Sequence, residues 1–233
     1  MLAGVSISWY TWLEQGRPVN ASRDVLDALA RALRLDEVAR EHLHALARQP
    51  AGLSPPSAGE PVPPGVLALL EALEPAPAYV VGPWWDILAW NRAEARLYPP
   101  YDTLPAEQRN LLWVMFAGPG IRELLADWET EARRALSQFR AETAPYRDDP
   151  ALVGLIDRLL DESPAFARWW PRHDVAGFEE RIRTFLHPVA GTLTFRNEQL
   201  IPAGDPGLKI VAHLPIEGDD SADRLRNVRH NVA

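Results

Sequence analysis

The 233-residue sequence contains no cysteine and only one lysine, Lys209, so that 23 of its 24 basic residues are arginines. The missing thiols exclude disulfides, thiolate metal sites and cysteine nucleophiles. No apolar run approaches the roughly 18 residues of a membrane-spanning helix, and the N-terminus lacks the charged and apolar segments of a secretory signal. We therefore expect a cytoplasmic protein with no membrane partner.

The sequence also lacks an excess of positive charge. Its net charge of −8 argues against a surface coated with basic residues for nucleic acid, while its 47% apolar content is sufficient for a hydrophobic core. Residues 1–49 contain six arginines and six acidic residues and are neutral overall. Because phosphate contacts supply most non-specific DNA affinity, this segment by itself predicts weak DNA binding.

Signatures of catalysis are missing as well. The six histidines include no helical pair with the flanking glutamate of a zinc protease, and no serine stands in a G-x-S-x-G elbow. A glycine-rich phosphate loop is also absent. We therefore predict a non-enzymatic protein without catalytic residues, metal ligands or a cofactor.

The hydrophobic pattern divides the chain into four segments. Residues 1–49 are helical in pattern, and a helix capped by Ser6 and closed by Gly16 is typical of the second half of a helix-turn-helix. Residues 50–64 contain six prolines and predict a semi-rigid linker. Residues 65–220 form the second domain, and residues 221–233 are predicted to be a polar tail.

The second domain is predicted to be of the α+β class. The segment "AYVVGPWWDILAWN" predicts two short strands, and alternation in "RIRTFLHPVAGTLTFRNEQL" and "GLKIVAHL" predicts three more. Helical patterns lie between these groups, with caps predicted at Asn91, Asp149 and Ser163. The result is an antiparallel sheet of about five strands flanked by helices, after an all-helical N-terminal module.

Several segments carry a family resemblance. "WYTWLEQGR" followed by "VLDALARALRLDEVAREHLHALA" resembles the Xre-type helix-turn-helix of MmyB-like transcription regulators of actinobacteria. The resemblance continues through "AYVVGPWWDILAWNRAEARLY", "SPAFARWWPRHDV" and "DPGLKIVAHLP". It implies a PAS-like domain that holds a long-chain fatty acid. Family members carry a first helix and most of a second before the segment that begins at Leu2. The chain is therefore expected to be N-terminally truncated, either through a start codon assigned too far downstream or because the protein itself is shorter.

In a helix-turn-helix the second helix contacts base edges in the major groove. Helical spacing from Ser6, together with the resemblance, assigns Ile7, Ser8, Thr11 and Trp12 to the DNA-facing side, with Arg17 near a phosphate. The alternative is that the tryptophans pack a small helical bundle. Without the first helices we expect DNA binding by this chain to be weak or absent.

Seven of the nine tryptophans lie between Trp84 and Trp170. Such a cluster either fills the core of an α+β domain or lines an apolar pocket. The resemblance implies a tubular pocket between sheet and helices. Its expected lining is Trp85, Leu88, Trp90, Leu112, Trp113, Met115, Phe116, Phe166, Trp169, Trp170, Phe185, Leu193 and Phe195.

A buried fatty-acid carboxylate requires a polar partner. The candidates are Asn91, Arg109, Asn110 and His173, and the sequence does not rank them. For three of them a structural role competes: Asn91 as a helix cap, Arg109 as a surface group and His173 as the partner of Asp174.

These observations predict a ligand-responsive transcription regulator that binds DNA and a fatty acid or similar amphiphile. The alternative is a lipid- or partner-binding PAS-like protein that no longer binds DNA because its first helices are missing. Since a proline-rich linker transmits little, we expect ligand and DNA binding to be coupled through a homodimer.

Overall fold

The computed structural model describes residues 11, 14–15, 21–47 and 61–228. In its N-terminal part, helix α1 spans Arg23–Leu33 and helix α2 spans Glu37–Ala47. The side chain of Ser22 accepts a hydrogen bond from the backbone of α1 and caps it. His44 Nε2 lies 2.9 Å from Asp27 Oδ1 and links the two helices.

The C-terminal part contains two early strands, a helical region and three late strands, as the sequence pattern predicts. The bounds are α3 Pro64–Ala72, β1 Ala78–Val81, β2 Ile87–Trp90, α4 Arg92–Leu97, α5 Leu111–Ala117, α6 Ile121–Leu124, α7 Trp128–Thr143, α8 Pro150–Glu162, α9 Pro164–Trp169, β3 Arg181–His187, β4 Gly191–Leu200, β5 Lys209–Leu214 and α10 Ser221–Arg226. The predicted caps Asn91, Asp149 and Ser163 each accept a backbone hydrogen bond from the helix that follows.

The five strands form one antiparallel sheet in the order β2-β1-β5-β4-β3. Strand β1 lies between β2 and β5, with Tyr79 opposite Trp90 on one side and Val211 on the other. Strand β4 connects β5 to β3, where Asn197 is opposite His213 and Arg181. The predicted α+β class, with helices before a five-stranded antiparallel sheet, is confirmed.

The sheet packs helices on both faces because successive side chains of a strand point to opposite sides. On one face Val66 and Leu70 of α3 pack against Ala78 and Val80 of β1. On the other face Tyr79 and its neighbours meet the larger core formed with α4 to α9. The candidate site lies on this second face.

Residues 121–143 have the pattern of one helix, but the structure divides them into α6 and α7. Between these helices the chain bonds to the edge of the sheet: Ala126 N donates to Thr184 O at 3.1 Å, and Leu125 forms an isolated bridge with Phe185. Asp127 then caps α7 through Thr130 N. A backbone hydrogen bond to a distant strand leaves no local signal in the sequence.

The segment predicted as a tail from residue 221 contains helix α10. Its Ala222 and Leu225 are buried, and Ser221 Oγ accepts a hydrogen bond from Thr194 N at 2.9 Å. A helix of six residues is too short for a 3.6-residue period to identify it. None of the helices within the described ranges is long and apolar enough to cross a membrane.

Candidate ligand-binding site

A cavity of two adjoining chambers lies between the sheet and helices α5 and α7. The chamber with more polar side chains is called the outer one, and the more apolar chamber is called the inner one. The outer and inner chambers share the lining residues Tyr79, Leu111, Met115 and Arg183. The open space is about 40 Å³ in the outer chamber and about 30 Å³ in the inner one. This is room for about two or three water molecules each, so a larger ligand must displace side chains.

The outer chamber combines three cationic and three amide side chains with apolar and aromatic ones. Strand alternation brings Arg181 and Arg183 of β3, Asn197 and Gln199 of β4 and Lys209 of β5 to the same face of the sheet. Helix α7 contributes Ala135 and Gln138 opposite them. The remaining lining residues are Tyr79, Val81, Trp85, Leu111, Met115, Phe178 and Val211.

Two arginines of the outer chamber share one carboxylate. Arg181 binds Glu131 of α7 through two hydrogen bonds, of 2.9 Å from Nε and 2.6 Å from Nη2. Arg183 Nε and Nη2 lie 2.8 and 2.7 Å from Glu131 Oε2. Burial raises the pKa of Glu131, but these hydrogen bonds and positive charges outweigh it and hold the pKa below its ordinary value.

A second ion pair crosses from sheet to helix near the other end of α7. Lys209 Nζ pairs with Glu142 Oε2, which also accepts a 2.8 Å hydrogen bond from Trp85 Nε1. Burial lowers the pKa of Lys209, and the Glu142 charge partly offsets this effect. Trp85 has a left-handed backbone (φ 64°), which is uncommon for a large residue, and packs edge-on against Phe139 at 5.2 Å.

The inner chamber is mainly apolar. The polar side chains that it does hold, Glu94, Arg183 and His213, lie among aliphatic and aromatic groups. Those groups are Tyr79, Leu97, Tyr98, Tyr101, Leu111, Val114, Met115, Ile121, Leu124, Leu125 and Phe185. Most of the cationic and amide side chains of the cavity therefore lie in the outer chamber, and the inner chamber is lined mostly by apolar side chains.

Glu94 and His213 are both almost fully buried, with 3% and 2% of their surfaces exposed. Burial raises the pKa of Glu94 to about 8, although the Arg183 charge lowers it. Burial and the charges of Arg183 and Arg181 hold the pKa of His213 well below its ordinary value. At neutral pH the pair is therefore a protonated carboxyl and a neutral imidazole, with Glu94 Oε2 3.9 Å from His213 Nε2.

Three buried polar atoms of the cavity have no hydrogen-bond partner within the described residues: Asn197 Oδ1, Glu94 Oε2 and His213 Nδ1. An unpaired polar atom in a low-dielectric interior costs about 1–3 kcal/mol. These three atoms are therefore left to be satisfied by water or by another molecule.

Among the predicted pocket residues, Trp85 lines the outer chamber, Met115 lines both chambers and Phe185 lines the inner one. The other predicted residues that belong to the same hydrophobic core do not line the cavity. In that core Trp113 Nε1 donates to Glu162 at 2.6 Å, and the ring of Trp170 stacks on Phe166 at 5.2 Å. The core residues concerned are Trp90, Leu112, Trp113, Phe116, Phe166, Trp169, Trp170, Leu193 and Phe195, while Leu88 is exposed.

Two of the predicted head-group partners, Asn91 and Asn110, are occupied by backbone contacts. Asn91 Oδ1 accepts from Ala78 N and Glu94 N, and Asn91 Nδ2 donates to two carbonyls. Asn110 caps α5 and donates to Trp84 O at 2.6 Å. It also borders a separate, open surface cavity of about 200 Å³.

The other two predicted partners, Arg109 and His173, also lie outside both chambers. Arg109 Nε donates to Leu104 O at 2.9 Å, and its guanidinium lies 5.4 Å from the ring of Trp90. His173 is exposed and has a left-handed backbone (φ 56°).

The polar residues that do line the chambers, Arg181, Arg183 and Lys209 among them, are not among the residues predicted from the sequence. A signal for them exists in "RIRTFLH" and "GLKIVAHL", where charged residues occupy alternate positions of predicted strands. In β3 the alternation is the reverse of the usual one, since Ile182 and Leu186 are exposed while the arginines are largely buried.

Of the residues predicted to contact DNA, only Thr11 is described; it is helical and half-buried. Ile7, Ser8, Trp12 and Arg17 lie outside the described residues. Among the residues that the structure does describe, no group of three or more His, Asp or Glu side chains is arranged to hold a metal ion.

Helix α2 of the N-terminal module contacts the C-terminal domain beside the cavity. Arg147 Nη1, which follows α7, donates to Leu46 O of α2 at 3.1 Å. Val38 Cγ2 of α2 lies 3.3 Å from the position that a Cβ would have on Gly177. The next residue, Phe178, lines the outer chamber, so cavity and helical module share one loop.

Two family models match the chain. Residues 62–228 match the MmyB-like transcription regulator ligand binding domain, and residues 1–43 match a helix-turn-helix domain. A comparison with curated proteins gives no match. The first match covers more than half of the chain and includes every residue that lines the two chambers.

Proposed function

The chain belongs to the MmyB-like transcription regulators, a non-enzymatic family, and we propose that its cavity takes a long-chain fatty acid or a similar amphiphile that controls DNA binding by its helix-turn-helix. A regulator that binds DNA and a ligand agrees with the coarser part of the sequence-based prediction. The identity of the ligand is the proposal.

The observation that carries this proposal is the unequal lining of two adjoining chambers, since one holds most of the cationic and amide side chains and the other is lined mostly by apolar ones. An amphiphile matches such a lining with its two ends. Each buried methylene contributes roughly 0.8 kcal/mol, so a chain of about a dozen gains enough to offset the movement of several side chains. Met115, which lines both chambers, is unbranched and adapts at low cost.

Ligand entry reaches the helical module by two short paths. Phe178 of the outer chamber adjoins Gly177, and Val38 Cγ2 of α2 lies 3.3 Å from the position that a Cβ would have on this glycine. Helix α7 carries Gln138 in the cavity and continues to Arg147, which holds Leu46 of α2. A ligand that shifts α7 or the loop of Gly177 and Phe178 therefore also changes the position of α2 on the C-terminal domain. This effect adds to any change in the association of a homodimer.

DNA contacts are proposed for Ile7, Ser8, Thr11, Trp12 and Arg17, and a DNA partner implies a cytoplasmic protein. A homodimer is proposed as well, and exposed apolar side chains of the sheet edge, Ile182 and Leu186, favour it. Measuring the mass in solution with and without fatty acid tests this association.

The central test combines lipid analysis with DNA binding. We expect mass spectrometry of the purified chain to detect bound fatty acid, and gel-shift titration at low salt with its own promoter region to change when dodecanoate is added. A protein that binds no fatty acid refutes the ligand proposal. A protein that binds fatty acid but no DNA supports the lipid-binding alternative.

A further inference from the structure

The outer chamber contains one more positive than negative charge. Arg181 and Arg183 share Glu131, and Lys209 is paired with Glu142, so three cations face two carboxylates. Glu94 does not restore the balance, because its raised pKa keeps it protonated at neutral pH. The two arginine side chains are only 15% and 11% exposed, and a buried surplus charge favours the entry of a counter-ion.

We propose that Arg183, with Arg181 and Asn197 beside it, binds the carboxylate of a singly charged amphiphile whose tail enters the inner chamber. This assignment rests on the proposed function and specifies the head group of its ligand. The carboxylate neutralises the surplus charge of the outer chamber, and guanidinium–carboxylate hydrogen bonds are among the strongest in proteins.

Asn197 supplies the second observation. It is 3% exposed, it lines the outer chamber opposite Arg181, and its Oδ1 has no partner among the described residues. A carboxylate only accepts hydrogen bonds, so Asn197 binds it through the NH₂ group, which a half-turn of the amide can bring to either position.

The direction of the ligand follows from Arg183, which lines both chambers. On its outer side lie Gln138, Gln199 and Lys209, which suit a hydrated head group. On its inner side lie the side chains of α6 and the adjoining segment, Ile121, Leu124 and Leu125, which suit a hydrocarbon tail. The four head-group partners predicted from the sequence lie outside both chambers.

The experiment compares dodecanoate with dodecanol, which has the same tail without the charge, on the delipidated full chain at pH 7.5. We expect the acid to bind at least about tenfold more tightly than the alcohol, which corresponds to about 1.4 kcal/mol. Arg183→Gln is expected to abolish this preference while the alcohol still binds. Arg183→Lys is expected to retain part of it, and Arg134→Gln, an exposed arginine of α7, to retain all of it.

Equal affinity for acid and alcohol in the wild-type chain overturns the carboxylate assignment and leaves the apolar cavity of the proposed function intact. Failure of both probes to bind overturns both proposals. An undiminished preference in Arg183→Gln overturns the assignment to this arginine. If Arg183→Gln does not fold, Asn197→Leu tests the same site and is expected to weaken the preference for dodecanoate. The comparison of dodecanoate with dodecanol in the wild-type chain requires no variant.

Discussion

Replacement of Glu131 by glutamine tests the charge arrangement of the cavity most directly. Glu131 is 7% exposed and makes four close contacts, of 2.6 to 2.9 Å, with Arg181 and Arg183. Glutamine has nearly the same shape, but it leaves two largely buried guanidinium groups without a counter-charge. Removing one partner of a buried ion pair costs about 3 to 5 kcal/mol, and we expect a loss of unfolding free energy in this range.

Urea unfolding followed by tryptophan fluorescence measures the change. Glu129→Gln is the matched control, because Glu129 lies on the same helix and forms an exposed ion pair with Arg133 at 2.6 Å. Its replacement is expected to cost less than about 1 kcal/mol. A Glu131→Gln variant no less stable than this control would refute the assignment of the pair as a buried, coupled unit.

The stabilisation of the folded chain by Glu131 depends on pH, and the direction of this dependence follows from its lowered pKa. The pKa of Glu131 lies below its ordinary value of 4.5 in the folded chain, so its stabilisation is present above about pH 4.5 and is lost as the pH falls through the lower folded value. The difference in stability between wild type and Glu131→Gln should therefore be largest near neutral pH and shrink in acid. A difference that stays constant down to pH 3 contradicts this account.

Three further outcomes are expected. Glu94, which lies among Arg183, His213, Tyr79 and Tyr101, has a pKa raised to about 8, so its contribution to stability is lost as the pH rises from about 4.5 to 8. The free energy of unfolding should therefore change less with pH in Glu94→Gln than in the wild type over this range, and parallel curves would contradict the assignment. Asn91→Ala removes a buried cap with four hydrogen bonds and should lower the free energy of unfolding in urea by about 2 to 4 kcal/mol. The preference for dodecanoate over dodecanol should not change, and its loss would assign Asn91 to the head-group site. Arg147→Ala should leave dodecanoate affinity unchanged but reduce its effect on DNA binding in gel-shift titrations, and an unreduced effect would exclude this contact as a path.

The sequence predicts local features of the fold well because their causes are local. Alternating apolar residues predict the three late strands, and the apolar segment around a Gly-Pro turn predicts the two early ones. Asn91, Asp149 and Ser163 precede their helices with side chains that cap them. The sheet order and the bond from Ala126 to Thr184 depend on distant segments, so periodicity alone does not predict them.

The ligand site predicted from the sequence depends on aromatic residues, and this is where sequence and structure differ most. Large rings such as Phe116 and Trp113 pack against one another as readily as around a cavity, and composition does not distinguish the two uses. The chambers instead depend on Arg181 and Arg183, whose inward direction is set by the register of β3. A strand that buries arginines and exposes Ile182 defies the usual inside-outside rule.

The ion pairs of the cavity join the sheet to helix α7 at two places. Every cation belongs to the sheet and every carboxylate partner to α7, and Glu131 and Glu142 stand eleven residues apart, or about 16 Å along the helix. The distance between the sheet and α7 in this region increases only if one of the two ion pairs breaks. A single hydrocarbon chain is narrow enough to lie between the two ion pairs. A rigid multi-ring molecule or a lipid with two tails is wider and requires that one ion pair breaks. We therefore expect the cavity to select ligands by width as well as by head group.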